Sequence, residues 1–166
     1  QLGAHYTDPA TIERLIHPVI RRPLLQQWEQ VALDIQGLAA KITKKGDKHY
    51  RAAHALFITW LDGLKHYRAL DPACGSGNFL YLALKCLKDV EHHSHLQAAE
   101  LGLDREADLV TGPHNVLGLE LNEYAAELLF LRGILPTTPA TEVEVAALID
   151  LGARTIRANR DRPVTA

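Results

Sequence analysis

The chain has 166 residues, 47% of them apolar, with 18 Lys and Arg against 20 Asp and Glu and a formal net charge of −2. That length sets one domain, or one with a helical appendage, and the apolar fraction suffices for a buried core. Two cysteines without a CxxC pair exclude a disulfide framework and fit a reducing, cytoplasmic setting, while no apolar run approaches a membrane span and no secretory leader is visible. The near-neutral balance by itself argues neither for nor against a nucleic-acid partner. The charge is unevenly spread, however. Residues 1–69 carry ten Lys/Arg against six Asp/Glu, residues 70–150 four against thirteen, and residues 151–166 four against one. A chain that starts at Gln1 and contains no Met reads as a fragment of a longer product.

Residues 8–66 are expected to be helical. Asp8 can cap a first helix with Pro9 at its first position, and Ile12, Leu15, Ile16 and Val19 then share a face. Pro18 should end or kink this helix, and Pro23 should open a second. Leu24, Leu25, Trp28, Val31, Ile35, Leu38 and Ile42 recur at helical spacing up to the turn Lys44-Lys45-Gly46-Asp47. A third helix follows with Ala53, Leu56, Phe57, Trp60, Leu61 and Leu64 inward, a stripe that reads as core. The pattern changes at Arg68-Ala69-Leu70-Asp71, a short strand end, and Gly75-Ser76-Gly77 turns the chain. Leu80, Ala83, Leu84, Leu87 and Val90 resume helical spacing, residues 91–114 are polar and partly helical, and Asn115 to Glu120 reads as a second strand. Tyr124, Ala125, Leu128, Leu129 and Leu131 mark another helix, and Thr141 with Glu144 a capping box for a last one. Strand, glycine turn, helix, strand, helix is the beginning of a parallel α/β sheet.

A glycine turn between a strand and a helix serves three chemistries. A P-loop needs Gly-Lys-Ser/Thr, but Gly77 is followed by Asn78 and Phe79. A dinucleotide fold wants G-x-G-x-x-G, and counting from Gly75 puts Leu80 at the third glycine, which weakens that option without eliminating it. S-adenosylmethionine ends in a zwitterion and has no phosphate. Gly75 and Gly77 permit close backbone approach, the N–H groups at the helix start can meet the carboxylate, and Asp71 is placed for the cationic end. Glu120, at the end of the second strand, is placed for the two ribose hydroxyls.

Leu-Asp-Pro-Ala-Cys-Gly-Ser-Gly-Asn-Phe-Leu at 70–80 closely resembles the cofactor motif of DNA adenine-N6 methyltransferases of the restriction–modification type. Gly3-Ala4-His5-Tyr6-Thr7-Asp8-Pro9 resembles the upstream element these enzymes carry in the gamma motif order, and residues 117–127 resemble their ribose-binding segment. The resemblance covers about residues 3–132 and is strongest to the large bacterial methylases, including those fused to a nuclease. The roughly forty residues between glycine turn and ribose carboxylate exceed a usual crossover, and similar insertions occur in that subgroup. The chain thus divides into an N-terminal helical region (1–67), a partial methyltransferase core (68–135), for which the resemblance implies a Rossmann-like fold, and a helical tail (136–166). The resemblance places Tyr6 and Thr7 against the methionine end of S-adenosylmethionine, and Asp71, Pro72, Ala73, Gly75 and Gly77 along its amino-acid site. Glu120 holds the ribose, with Leu121 beside the adenine. Phe79 would pack behind the turn, and Cys74 is expected as a small packing residue.

His5 and Asp8 depart mildly from the family pattern. The Asn/Asp/Ser-Pro-Pro-Tyr/Phe motif that holds the flipped adenine is absent, since the chain has no Pro-Pro pair. No catalytic residue is therefore expected here, and Asp150 is a weakly supported candidate for the cofactor's adenine amino group. The expectation is a cofactor-binding part that does not methylate alone. Its complete parent would act on double-stranded DNA, with fused or associated restriction and specificity modules. The alternatives are a non-catalytic remnant acting as an interaction module, an RNA or protein methyltransferase and, last, a dinucleotide-dependent oxidoreductase. His92, His93 and His95 read as a solvated helix face or loop without metal-site spacing. The cations at Lys41–Arg51 and Arg154, Arg157, Arg160 and Arg162 read as solvated surface.

Overall fold

The computed structural model describes residues 7–106 and 108–119. The chain opens on helix α1 (Pro9–Ile16), whose N-cap Asp8 accepts from the amides of Ala10 and Thr11 and from the Thr11 hydroxyl. The α-helix ends just before Pro18, as the sequence predicts, but the chain does not leave the helical path. Residues His17–Arg21 form a π-helical turn in which the Arg22 amide donates to the His17 carbonyl, and α2 (Arg22–Ala39) follows without interruption. A widened turn accommodates a proline that has no N–H and crowds the carbonyl four residues back. Pro23 stands in the first turn of α2, where the sequence places it. The π turn also resets the buried face: Ile12, Ile16, Ile20, Leu24 and Trp28 point inward, whereas Leu15 and Val19, expected inward, are exposed.

The reversal after α2 is fixed by Asp47, the N-cap of α3 (Lys48–His66). Its carboxylate accepts from the amides of Thr43, His49 and Tyr50. Ala53, Phe57, Trp60, Leu61 and Leu64 are buried as the spacing predicts. Trp28 packs edge-on against Phe57 with ring centroids 5.9 Å apart and lies 5.4 Å from Trp60. Its indole N–H donates to Gln97 Oε1 at 2.7 Å.

Strand β1 (Ala69–Asp71) leads through the glycine turn into α4 (Asn78–Glu100), and β2 (Val116–Gly118) returns parallel to β1. The register pairs Ala69 with Val116, Leu70 with Leu117 and Asp71 with Gly118. The described residues are mostly helical, and their two strands with α4 between them form the parallel βαβ unit expected of an α/β sheet. At 23 residues α4 is about 34 Å long, some three times a three-residue strand. Its first half covers the strands and its second half extends past them into a helical bundle with α2 and α3.

Two surface hollows fix the helix directions. Glu13, His17 and Arg21 border one together with Leu82, Cys86 and Asp89. Farther along, Glu29, Leu33 and Gln36 border another with Gln97, Glu100 and Leu101. Residue numbers rise together on both sides, so the α1–α2 rod runs parallel to α4. A single core cluster extends from Ile12 on α1 to Val116 on β2.

The second half of α4 buries polar groups, against expectation. His95 is 3% exposed, so it belongs to no solvated face, unlike the exposed His92 and His93. Its ring meets Phe57 edge-on at 5.2 Å, and its Nε2 lies 3.8 Å from Glu91 Oε1, too far for a hydrogen bond.

Candidate cofactor site

The site is built where β1 ends. Asp71 Oδ1 accepts from the Ala73 amide at 3.1 Å, which starts the turn locally. Gly75 then takes φ +51° and Gly77 φ +80°, the left-handed region where a side chain is strained. Gly77 is also the N-cap of α4. Its amide donates to the Cys74 carbonyl at 2.8 Å and its carbonyl accepts from Tyr81 at 2.8 Å. A glycine cap has no side chain to meet the first amides of the helix, whose dipole places positive charge there. Among the described residues, nothing lies within 4 Å of the point a Cβ on Gly75 would occupy.

The continuation of β2 closes over this turn. The Leu119 amide donates to the Asp71 carbonyl at 3.0 Å. The Leu119 carbonyl accepts from the Cys74 amide at 3.0 Å, with Cys74 Sγ at 3.3 Å. Cys74 is buried, in line with a packing role, and Phe79 is half-buried against the core behind the turn. Burial pushes the Cys86 thiol above its ordinary value, so it is a poor nucleophile.

Asp71, Pro72, Ala73, Gly75 and Gly77 thus share one turn. Thr7 is exposed and immediately precedes the α1 cap. Tyr6, Glu120 and Leu121 lie outside the described residues, as do the expected helix at 124–131, the Thr141–Glu144 box, Asp150 and the C-terminal arginines. Of the cationic turn, Lys45 is held by Asp104 at 2.7 Å, while Lys41, Lys44, Lys48 and Arg51 are exposed. Among the described residues no cluster of three or more His, Cys, Asp or Glu is arranged to hold a metal.

Sequence reasoning missed three residues that shape the site. Gly118 leaves room for Leu80 and Cys74, and a glycine inside an apolar strand is a readable sign of such close approach. Glu91 and Asn115 have no such signal. Both are buried, and both act on backbone that is distant in sequence.

The family model for the MmeI DNA-methyltransferase domain matches residues 44–135, which include the whole glycine turn and Glu120. The chain belongs to this family. Residues 44–135 are thus those of a DNA-methyltransferase domain. The chain is 30% identical over 151 residues to a protein of Methanocaldococcus jannaschii named as a candidate type II restriction enzyme and methyltransferase. That match covers 86% of this chain but 12% of the relative, so the chain spans about an eighth of the relative's length. No solved structure matches the MmeI-type domain. Among its described residues no helix is long and apolar enough to cross a membrane.

Proposed function

We propose that this chain is the S-adenosylmethionine-binding part of a methyltransferase that modifies N6 of adenine in double-stranded DNA. The observation that carries the reading is the turn itself. Two left-handed glycines sit between a parallel strand and the helix that follows it, and the second of them is that helix's N-cap. These features suit a zwitterion. The amides at the start of α4 meet its carboxylate, Asp71 serves its ammonium, and Pro72 and Ala73 line the approach. Glu120 takes the ribose hydroxyls and Leu121 lies beside the adenine. The bond from the Cys74 amide to the Leu119 carbonyl supports this assignment, because Leu119 is the neighbour of Glu120.

Tyr6 and Thr7 complete the methionine end. Their support is the parallel course of the α1–α2 rod and α4. Trp28 bonds to Gln97 and Glu13 borders one hollow with Leu82, so the start of α1, which Thr7 precedes, lies toward the start of α4. The bound cofactor supplies an electrophilic methyl group. The chain's own residues bind it, orient it and keep its sulfonium aimed at the substrate. We assign residues 68–135 to a partial Rossmann-like core, 1–67 to the helical region and 136–166 to a tail. In this reading the flipped adenine is held by other parts of a longer, cytoplasmic protein, in keeping with the length of the relative it matches. Restriction and specificity modules would belong to the same assembly.

Calorimetric titration with S-adenosylhomocysteine tests the reading. Saturable binding that Glu120→Ala weakens is expected. A folded chain that does not bind, or binds NAD instead, overturns it.

A further inference from the structure

About forty residues separate the glycine turn from β2, and α4 overshoots the strands by half its length. The returning chain must still enter β2 in one register. Two buried side chains guide it. Glu91, midway along α4, is 0% exposed. Its Oε1 accepts from the Val110 amide at 2.6 Å, and its Oε2 accepts from the Thr111 amide at 3.1 Å and from the Thr111 hydroxyl. Burying a carboxylate is strongly unfavourable unless donors replace its water, and three donors from one short segment do so. Asn115 then donates to the carbonyls of Leu64 and Tyr67, each at 2.8 Å, and its Oδ1 accepts from the Gly112 amide at 2.8 Å. Residues 110–115 are thereby held from α4 and from the end of α3, and β2 begins at the next residue.

Register matters because a one-residue slip in a strand sends every side chain to the opposite face. Leu119 closes onto Cys74 only in the register observed. We infer that Glu91 is a positioning residue for cofactor binding: by holding Val110 and Thr111 it sets the register of β2 and so the placement of the ribose carboxylate at position 120. This inference rests on the assignment of Glu120 made above. It gives the long crossover a purpose, since the helix that begins at the cofactor turn also carries the group that brings the second strand back to it.

The test is a double-mutant cycle read by calorimetry with S-adenosylhomocysteine on the 166-residue chain, well below its melting temperature. Glu91→Gln preserves volume but replaces one acceptor oxygen by an NH2 group, which faces a backbone N–H, that of Val110 or of Thr111, in either orientation. It is expected to weaken binding about tenfold in the Glu120 chain and to change nothing further in the Glu120→Ala chain. A merely structural Glu91 would lower the melting temperature and leave Kd unaltered, and that result overturns the inference. Equal losses in both backgrounds overturn it too. If Glu91→Gln fails to fold, Thr111→Val, which removes only the hydroxyl, carries the same readout: weaker binding confined to the Glu120 chain supports the inference and unchanged Kd ends it. Should Glu120→Ala leave binding intact while the chain binds cofactor, the ribose assignment itself has failed, a result distinct from the others.

Discussion

Leu80 and Gly118 share one volume. A Cβ built on Gly118 would stand 2.7 Å from Leu80 Cδ1, and also 2.7 Å from Cys74 Sγ. In the dinucleotide fingerprint the helix supplies a third glycine so that helix and strand can approach. Here the helix keeps a leucine at that position and the neighbouring strand gives up its side chain. Close helix–strand contact is reached from the opposite partner.

Gly118→Ala should therefore destabilise the fold by about 1–3 kcal/mol through overpacking. Leu80→Ala alone should cost about 2–5 kcal/mol, because it empties a fully buried site. The double variant should be less destabilised than the sum of the two, since the alanine methyl fills part of the space the leucine leaves. Urea unfolding of the four chains measures this. Strict additivity would show that the two positions do not share the volume.

Gly75 separates binding from folding. Alanine at φ +51° should cost about 1–2 kcal/mol of stability, as its Cβ meets nothing within 4 Å among the described residues. The same Cβ intrudes where the cofactor backbone contact is assigned. Affinity for S-adenosylhomocysteine should fall by about tenfold or more, the equivalent of about 1.4 kcal/mol. Melting curves and calorimetry on the one variant give both numbers, and an unchanged affinity would place the cofactor elsewhere.

Acid should loosen the α2–α3 reversal. The amides of Tyr50 and Thr43 hold the Asp47 carboxyl well below the usual carboxylate range. Asp104 is lowered by the hydrogen bond from Lys45, then by that from Tyr50. For a group whose folded value is depressed, the stabilisation is complete above the unfolded value of about 4 and is lost as pH falls through the folded value. Denaturation midpoints should thus be insensitive to these two groups between about pH 5 and 7 and drop below about pH 4. Asp47→Asn should lower the midpoint at pH 7 and flatten the acid limb; an acid limb identical to the parent chain would contradict the assignment. Lys45, raised by the same Asp104 contact, loses its share only as pH rises through its own elevated value.

The local devices were legible in the sequence. Asp8 caps the helix it precedes, because a short acceptor side chain next to an apolar periodic run meets amides two and three residues on, and Asp47, read only as the end of a turn, does the same for α3. The stripe from Ala53 to Leu64 is buried, because helical spacing alone puts those residues on one face. The left-handed turn at Gly75 and Gly77 follows from residues only glycine suits, and its order between strand and helix pointed to the cofactor class. These features depend on neighbours within a few positions, so the sequence by itself determined them.

What only the tertiary structure decided involves partners far apart along the chain. Pro18 ends the first α-helix as its sequence context predicts, but a π turn, with the rod packed along α4, carries the chain straight on into α2. The sequence places His95 on a solvated face, yet α4 continues into the bundle and buries it against Phe57. Glu91 and Asn115 look like ordinary polar residues until the chain brings Thr111 and the end of α3 to them, about twenty and fifty positions away. A buried polar group acquires its role from the donors that replace its water. Those donors are supplied by the fold and leave no local pattern to read.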